Sequence, residues 1–458
     1  MKRGLILSLL VFLIIQGCST VSVSPTPTLA QTLTPSPSLF PSAAITPSPV
    51  PNTLYVDPGI DLGPISPYLF GSNYGPWVAI PFDMIQSAFN SDITILRFPG
   101  GSWGDQNNLQ PYNIDTFMGI LKQMNAGAMI NVRLENGTPQ QAAQLVQYVN
   151  IGKKNNVRYW AIGNEPSLYA ADTKSDYDTV QFNKDWRAFA LAMKAVDPSI
   201  QLIGPEIHQF TDQRDQNPKD SSGRDWMTEF LKTNGDLVDI VSFHRYPFPQ
   251  SNTSSETTIG QLHQNLYQWD RIIVYLRNLI HQTTGRDLPI AVTEFNSDYT
   301  KVAGGQASPD SYYNAIWTAD VLGRLMRNKV FMADQWMLTS EQGDADGWGL
   351  IGDGELRPSY YVYQMYHKFG NELIYSSSSN SDLSVYAAKR ADGSITIMVI
   401  NLSLKVETQS LRIEKESAQQ AETWLFDPSH SITDIGATDL SAPINFPPQS
   451  ITLYIVQP

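Results

Sequence analysis

The stretch YWAIGNEPS, residues 159–167, decides how this chain is read: an apolar run of strand type stops on Gly163, Asn164, Glu165 and Pro166. A carboxylate at the edge of an apolar interior costs on the order of several kcal/mol unless it is paired, hydrogen-bonded or protonated. Either the strand turns into solvent there, with Asn-Glu-Pro as loop punctuation, or the carboxylate has work to do. The neighbouring sequence separates the two readings.

From Leu69 onward one pattern recurs: a short apolar or β-branched run, a loop with polar or aromatic residues, then a longer segment of helical spacing. The runs are LFGSNY (69–74), ITILRFPGG (93–101), AMINVRLENG (128–137), YWAIGNEP (159–166), IQLIGPEI (200–207), IVSFHRYP (240–247), IAVTEFN (290–296) and FMADQWML (331–338). Segments such as TPQQAAQLVQYVNIGKKN between them carry apolar residues on one helical face. Eight alternating units predict an α/β fold, a closed (β/α)8 TIM barrel, with a doubly wound open sheet as the alternative. In such a barrel the chemistry belongs at the C-terminal ends of the strands. Arg97, Asn164 with Glu165, Glu206 with His208, His244 with Tyr246, Glu294 with Asn296, and Gln335 with Trp336 all fall there.

After RPSYYVYQMYHKFG (357–370), the last barrel helix, the period changes to two. DLSVYAAKR and SITIMVINLS flank the turn Ala391-Asp392-Gly393, and the sequence reaches SITLYIV. This predicts a C-terminal antiparallel β-sandwich domain over 371–458, joined by the early strand TLYVD (53–57), which braces the barrel of 53–370. Carbohydrate binding is its other reading.

The first residues have a different character. Lys2 and Arg3 precede an apolar core from Leu5 to Ile15, a signal-peptide pattern over 1–17. Cys18, the single cysteine of the chain, follows in IIQGCS, which resembles the lipobox of bacterial lipoproteins, where the thiol is lipidated. Residues 18–52 are rich in Ser, Thr and Pro and predict a disordered linker holding the barrel away from a membrane. The expectation is an exported protein, lipid-anchored to a bacterial membrane with its barrel outside the cytoplasm. The membrane is touched only through the anchor.

The formal net charge of -13, from 31 basic and 44 acidic residues, is the wrong sign for nucleic acid or a polybasic membrane surface. With 10 Trp and 21 Tyr, the chain has aromatic faces to offer sugar rings as well as its own core. No metal or cofactor is called for. GDADGWGLIGDGE (343–355) loses calcium-loop spacing after Asp346 and reads as a turn. Gly100-Gly101 lacks the ending of a phosphate loop and reads as a close approach to a ligand. His263 and His281 lie in helical segments as surface or packing residues.

Glu165 and Glu294 end strands four and seven, on opposite sides of the barrel mouth. Cleavage of a glycosidic bond uses such a pair, one group protonating the departing oxygen and one meeting the oxocarbenium-like centre. At a separation of roughly 5 Å the chemistry is retaining. Two like charges at that distance repel by about 3 kcal/mol at an effective dielectric of about 20, so one carboxyl is expected to stay protonated as the acid. Glu135 and Glu206 are rival carboxylates at strand ends.

IGNEPSLY on strand four and VTEFN on strand seven resemble glycoside hydrolase clan A, the retaining barrel glycosidases. The resemblance implies Glu165 as acid/base, Glu294 as nucleophile and Asn164 bonding the sugar 2-hydroxyl. It also implies that Arg97, His244 and Tyr246 position the carboxylates and sugar, with Trp336 as a stacking floor; Trp103 joins them as an expected sugar-binding residue. RFPGG resembles family 51, whereas GNEPSLY with HRYP is closer to families 39, 44 and 79. The implied substrate is an oligo- or polysaccharide. A catalytically inactive surface glycan-binding lipoprotein and a transglycosylase using the same site are the alternatives.

Overall fold

The computed structural model describes residues 50–458 other than 174–175, 251–254, 342, 344–345 and 416–419. The signal peptide, Cys18 and nearly all of the linker therefore lie outside the described residues. The first strand, β1 (Thr53–Pro64), leaves the barrel at once and pairs with strands from the far end of the sequence.

All eight expected barrel strands form. They are β2 (Tyr68–Asn73), β3 (Ile95–Phe98), β4 (Gly127–Val132), β5 (Tyr159–Ile162), β6 (Gln201–Ile207), β7 (Ile240–Arg245), β8 (Ile290–Phe295) and β9 (Met332–Gln335), parallel and closed by β2 against β9. The eight-stranded barrel, not the open sheet, is the architecture. Helix starts follow local chemistry. Thr138 Oγ1 accepts from the Gln141 amide at 3.2 Å while the Gln141 side chain accepts from the Thr138 amide at 2.9 Å, opening the helix Pro139–Val146. The same reciprocal pair, Thr258 and Gln261, opens Ile259–Thr284, which ends on left-handed Gly285.

Side chains alternate between the barrel lumen and the surrounding helices. Ile95, Met129, Tyr159, Ala161, Ile203, Ile240, Ala291 and Met332 form one buried apolar cluster, the lumen floor. Two residues further along the same strands, at the same parity, stand Arg97, Asn131, Ser242, Thr293 and Asp334, all buried. The lumen is thus apolar below and polar above, and the polar layer is the one nearest the C-terminal ends.

Beyond the barrel, a two-residue hairpin, β10 (Ile351–Gly352) and β11 (Glu355–Leu356), precedes the helix Pro358–His367. Strands β12 (Glu372–Ser378), β13 (Leu383–Lys389), β14 (Ile395–Asn401), β15 (Glu407–Ile413), β16 (Gln420–Asp427), β17 (His430–Asp439), β18 (Ile444–Phe446) and β19 (Ser450–Val456) then build one sheet with β1. Its order is β17-β16-β19-β14-β13-β12-β1-β15-β18, antiparallel throughout except where β1 meets β15. The sheet is therefore a single hydrogen-bonded series, with TLYVD inside it as expected.

Strand β14 is buried along its whole length, because both faces are covered. Ile397 and Val399 join Val385, Leu54 and Val456 in a cluster inside the sheet domain, whereas Met398 and Ile400 join the barrel's core. SITIMVINLS thus departs from the expected period of two, since a strand covered on both faces carries no polar alternation. Between barrel and sheet lies the helix Tyr312–Arg327, buried from Tyr313 to Met326. Tyr386 of β13 donates to Asp320 Oδ1 at 2.7 Å, and Arg324 Nε donates to Asp320 Oδ2 at 2.7 Å. Among the described residues no helix is long and apolar enough to cross a membrane.

The closeness of this contact is testable at Gly323, where a Cβ would fall 2.3 Å from the Tyr386 ring. Gly323→Ala should lower the unfolding free energy by about 1–3 kcal/mol through overpacking, read from urea titrations beside the parent protein.

Candidate active site

After Ile162 the chain turns sharply. Gly163 has φ +79°, and a Cβ there would lie 2.9 Å from Leu134, so glycine is required. Glu165 itself is left-handed at φ 47°, ψ 52°, and so is Glu206 at φ 58°. Both are uncommon for residues with a Cβ, and both belong to the site. The Glu165 amide donates to the Glu206 carbonyl at 3.0 Å, so the two unusual backbones support one another.

Arg97 rises from the lumen at 0% exposure. Its Nη1 donates to Glu294 Oε1 at 2.7 Å and to Asn73 Oδ1 at 2.9 Å. Its Nη2 reaches Asn164 Oδ1 at 2.8 Å and Glu206 Oε2 at 2.8 Å. Glu294 also accepts from the Gly101 amide at 3.1 Å and, through Oε2, from the Tyr246 hydroxyl at 2.9 Å. The Gly100-Gly101 turn, read as a close approach to a ligand, makes its close approach to Glu294 and Trp336. Left-handed Gly101 brings its N–H to a carboxylate, and a Cβ there would lie 2.6 Å from the Trp336 ring.

Glu165 Oε1 is shared by two imidazoles, His244 Nδ1 at 2.9 Å and His208 Nδ1 at 3.0 Å. His244 Nε2 faces Glu206 Oε2 at 3.4 Å, and Glu206 Oε1 accepts from Thr293 Oγ1 at 2.8 Å. One oxygen each from Glu165 and Glu294 and a ring nitrogen of His244 lie within 4.8 Å of one another. Among the described residues this is the one such grouping of potential metal ligands, but its donors are committed. Arg97, Gly101 and Tyr246 occupy Glu294, and His244 has a carboxylate at each nitrogen. That chemistry suits charge pairing rather than a cation.

The electrostatics correct one expectation. At Glu165 imidazole counter-charge, rather than a retained proton, offsets the expected repulsion. Burial raises the Glu165 carboxyl, yet the hydrogen bonds and charges of His208 and His244 outweigh it and hold the group below the usual carboxylate range. Burial likewise opposes ionisation of Glu206, but Arg97 and His244 bring it down to about 2. Burial works against a charged His244 too; Glu294, Glu165 and Glu206 together push it up to about 10. Asp334, fully buried with no hydrogen-bond partner for either oxygen, is held well above the carboxylate range by burial, despite Arg97.

A cavity of about 320 Å³ opens over this layer, lined by Gly101, Ser102, Asn164, Glu165, Leu168, His208, Tyr246, Glu294, Tyr299, Trp336 and Trp348. Glu165, Glu294, Asn164, Tyr246 and Trp336 therefore meet in one place. Arg97 and His244 do not line it; they lie beneath and hold the carboxylates. Trp103 does not line it either, since its ring packs 6.5 Å from that of Trp77, which stacks on Trp336 at 5.9 Å. The rivals fall away on geometry. Glu206 is sealed at 0% exposure, and neither it nor Glu135 lines the cavity. A larger groove of about 390 Å³ on the barrel flank is lined by amides such as Gln110 and Gln141 and holds no carboxylate, so it lacks the chemistry. His281 is surface-exposed beside Asp287, as expected of it. The turn at 343–355 lies partly outside the described residues.

The residues missed by sequence reading are Asp105, Tyr299, Trp348 and, as a partner of Glu165, His208. Asp105 Oδ2 accepts from the Asn164 amide at 2.6 Å and from the Tyr169 hydroxyl, fixing the turn that carries Glu165. Nothing local to SWGDQ marks that role. His208 was visible at a strand end but had no motif.

A parallel barrel with two carboxylates, an Asn and a Trp converging at its C-terminal mouth defines a class of sugar-processing architecture. The profile of glycosyl hydrolases family 39 matches residues 142–414, more than half of the chain, which therefore belongs to that family. A β-xylosidase of Geobacillus stearothermophilus is 26% identical over 268 residues, 54% of this chain and 48% of the xylosidase. The chain thus matches about half the length of that relative. The solved α-L-arabinofuranosidase of Thermotoga maritima, in its arabinose complex, superposes with a TM-score of 0.71 at 17% identity, covering 89% of this chain and 100% of that one. CelM2, a bifunctional glucanase-xylanase from a metagenome library, gives 0.69 at 19%, covering 88% and 99%. These two likenesses speak to fold.

Removing the central cation should unfold the site from within. Arg97→Leu leaves Glu206 and Glu294 buried without their partner and should cost about 3–5 kcal/mol in denaturant titrations. The depressed Glu206 carboxyl also sets an acid limit. Its contribution to stability is complete above its ordinary value of 4.5 and is lost as pH falls toward about 2. In Glu206→Gln, measured by urea titration over the same range, that part of the pH dependence should vanish.

Proposed function

We propose that the protein is a retaining glycosidase that hydrolyses O-glycosidic bonds of an oligo- or polysaccharide by double displacement. The observation that carries this reading is the approach of Glu165 and Glu294 oxygens to within 4.8 Å across one cavity, the short spacing used by retaining enzymes. Glu294 is the nucleophile, because its oxygens accept only from groups that stabilise and aim an anion: Arg97, the Gly101 amide and the Tyr246 hydroxyl. Glu165 is the acid/base. Its side chain is 18% exposed, and its partners are imidazoles, which can give and take protons.

In the first step the Glu294 carboxylate forms a bond to the anomeric carbon as the bond to the leaving oxygen breaks, and that oxygen takes the proton that Glu165 shares with its imidazole partners. In the second, Glu165 removes a proton from water as its oxygen attacks the same carbon and the Glu294 ester bond breaks. Asn164 has its Oδ1 engaged by Arg97, so its NH₂ is the part left to bond a sugar hydroxyl. Trp336 and Trp348 supply aromatic walls. The names of the matched relatives make neutral xylosides and arabinofuranosides the first substrates to try.

On a panel of nitrophenyl glycosides, both Glu165→Gln and Glu294→Gln should lose turnover by on the order of a thousand-fold or more. With a dinitrophenyl glycoside, Glu165→Gln should accumulate a glycosyl-enzyme adduct detectable by mass spectrometry, and Glu294→Gln should form none. Parental turnover in Glu294→Gln would refute the nucleophile. Absence of turnover on the whole panel, with glycan binding retained, would favour the inactive binder.

Export and anchoring belong to the same reading: Cys18 carries a lipid, and residues 18–52 hold the barrel outside the cytoplasm. Expressed in a bacterium, the parent chain should take up labelled palmitate and sediment with membranes, and Cys18→Ala should do neither.

A further inference from the structure

We propose that the proton destined for the leaving oxygen is stored on His244, clamped between Glu165 and the buried Glu206, so that Glu165 and His244 work as a proton-sharing pair and Glu206 is their positioning residue. This rests on Glu165 being the acid/base. Three observations carry it.

The first is hydrogen-bond arithmetic. His244 Nδ1 lies 2.9 Å from Glu165 Oε1, and Nε2 lies 3.4 Å from Glu206 Oε2. Glu206, held as an anion by Arg97, makes Nε2 the donor, so one proton is left between Nδ1 and Glu165 Oε1, and the imidazole, with an ordinary pKa of about 6.5 against about 4.3 for a Glu carboxyl, is the more basic of the two. The doubly protonated ring satisfies both contacts. The second is isolation: His244 and Glu206 are each 0% exposed, and the cavity-lining group nearest the ring is Glu165, at 2.9 Å against 3.6 Å for Glu294. The third is that Glu206 is anchored as an anion by Arg97 at 2.8 Å and by the Thr293 hydroxyl at 2.8 Å, yet does not line the cavity. A buried carboxylate that cannot reach substrate acts through what it holds.

The proton balance is simple. During glycosylation the Nδ1–H bond of His244 breaks and an O–H bond forms on the Glu165 carboxyl. The carboxyl turns about its last side-chain bond, a soft torsion, and passes the proton to the departing oxygen. His244 is left neutral, still donating from Nε2 to Glu206. In the second step the proton taken from water by Glu165 returns to Nδ1. The groups facing His244 are Glu165 of the turn after β5, Glu206 of β6, Glu294 at 3.6 Å from β8, and Asp334 of β9, with Arg97 of β3 bridging Glu206 and Glu294. His208 shares the Glu165 oxygen from the cavity wall. Leaving Asp334 aside, three carboxyl groups, Glu165, Glu206 and Glu294, face the ring against the one guanidinium of Arg97, and that surplus favours a charged ring.

The test is nitrogen NMR of the full chain with labelled histidine, His244 being assigned from the spectrum of His244→Asn. Both ring nitrogens should be protonated at neutral pH and stay so well above the ordinary imidazole range. In Glu206→Gln that transition should fall by more than about one pH unit, and the alkaline limb of kcat/KM for a nitrophenyl glycoside should fall with it. At alkaline pH the loss on that substrate should exceed the loss on a dinitrophenyl glycoside, whose leaving group needs no proton. A merely structural Glu206 would depress both substrates together and leave the limb in place. Thr293→Val, a gentler change, should move the transition the same way by less. A His244 with one bare nitrogen at neutral pH, or an unmoved limb in Glu206→Gln, overturns the proposal. The NMR result stands whether or not any glycoside is cleaved, so failure of the glycosidase reading is seen separately, as an inactive panel.

Discussion

One cation holds the site together. The Arg97 guanidinium, sealed in the upper lumen, donates to an oxygen on each of Asn73, Asn164, Glu206 and Glu294, residues from three other strands and a strand-following turn. A charge so placed would cost far more than its hydrogen bonds return if any carboxylate partner were missing. Its planar fork serves several partners at fixed angles, which an ammonium on a flexible stem would not do. Once Arg97 is in place, a third buried carboxylate, Glu206, can sit beneath the two that face the cavity. Glu206 in turn lets an imidazolium sit beside Glu165. The charges are therefore interdependent, and the spacing of the two cavity-facing glutamates follows from the network below them.

The barrel makes this affordable by dividing its lumen. Below the polar layer, Ile95, Met129, Ile203, Ile240, Ala291 and Met332 close the floor, so water does not reach Arg97 from underneath. Above it, the aromatic rings of Tyr246, Tyr299, Trp336 and Trp348 line a cavity whose polar groups are few and directional, the character expected of a small-ligand site. The sheet domain contributes rigidity at a distance. It covers the buried helix Tyr312–Arg327 and fastens it through Tyr386 to Asp320. No residue of the sheet domain lines the cavity.

Much of this was legible in the text. Eight strand-like runs, each followed by a loop and a helical segment, identify the barrel because a parallel strand buried on both sides must be nearly all apolar, and its polar residues then stand out at the ends. Glu165, Asn164, Tyr246, Glu294 and Trp336 are found that way, and all five line the cavity. Trp103 looked equivalent to Trp336, sharing its residue type and its place after a strand, but it packs behind Trp77. Asp105 gave no signal, since its function is to accept the amide of a residue 59 positions away. Glu206 drew attention as a rival acid, a role that its depth in the barrel denies it.

What the sequence alone determined is the periodic pattern: which segments are strands, which faces are apolar, and which residues stand at strand ends. Those are local properties, written at intervals of two and of three to four residues, and they need no knowledge of distant neighbours. What only the tertiary structure decided is which of the polar strand-end residues face the cavity and which lie beneath it, and where the protons rest. Two glutamates near the C-terminal ends of neighbouring strands became a cavity-facing group and a sealed anion, Glu165 in the turn after β5 and Glu206 within β6, because depth and counter-charge are properties of the closed barrel. Charge state depends on every group within a few ångströms, and closure of the barrel brings those groups together from strands far apart in the chain.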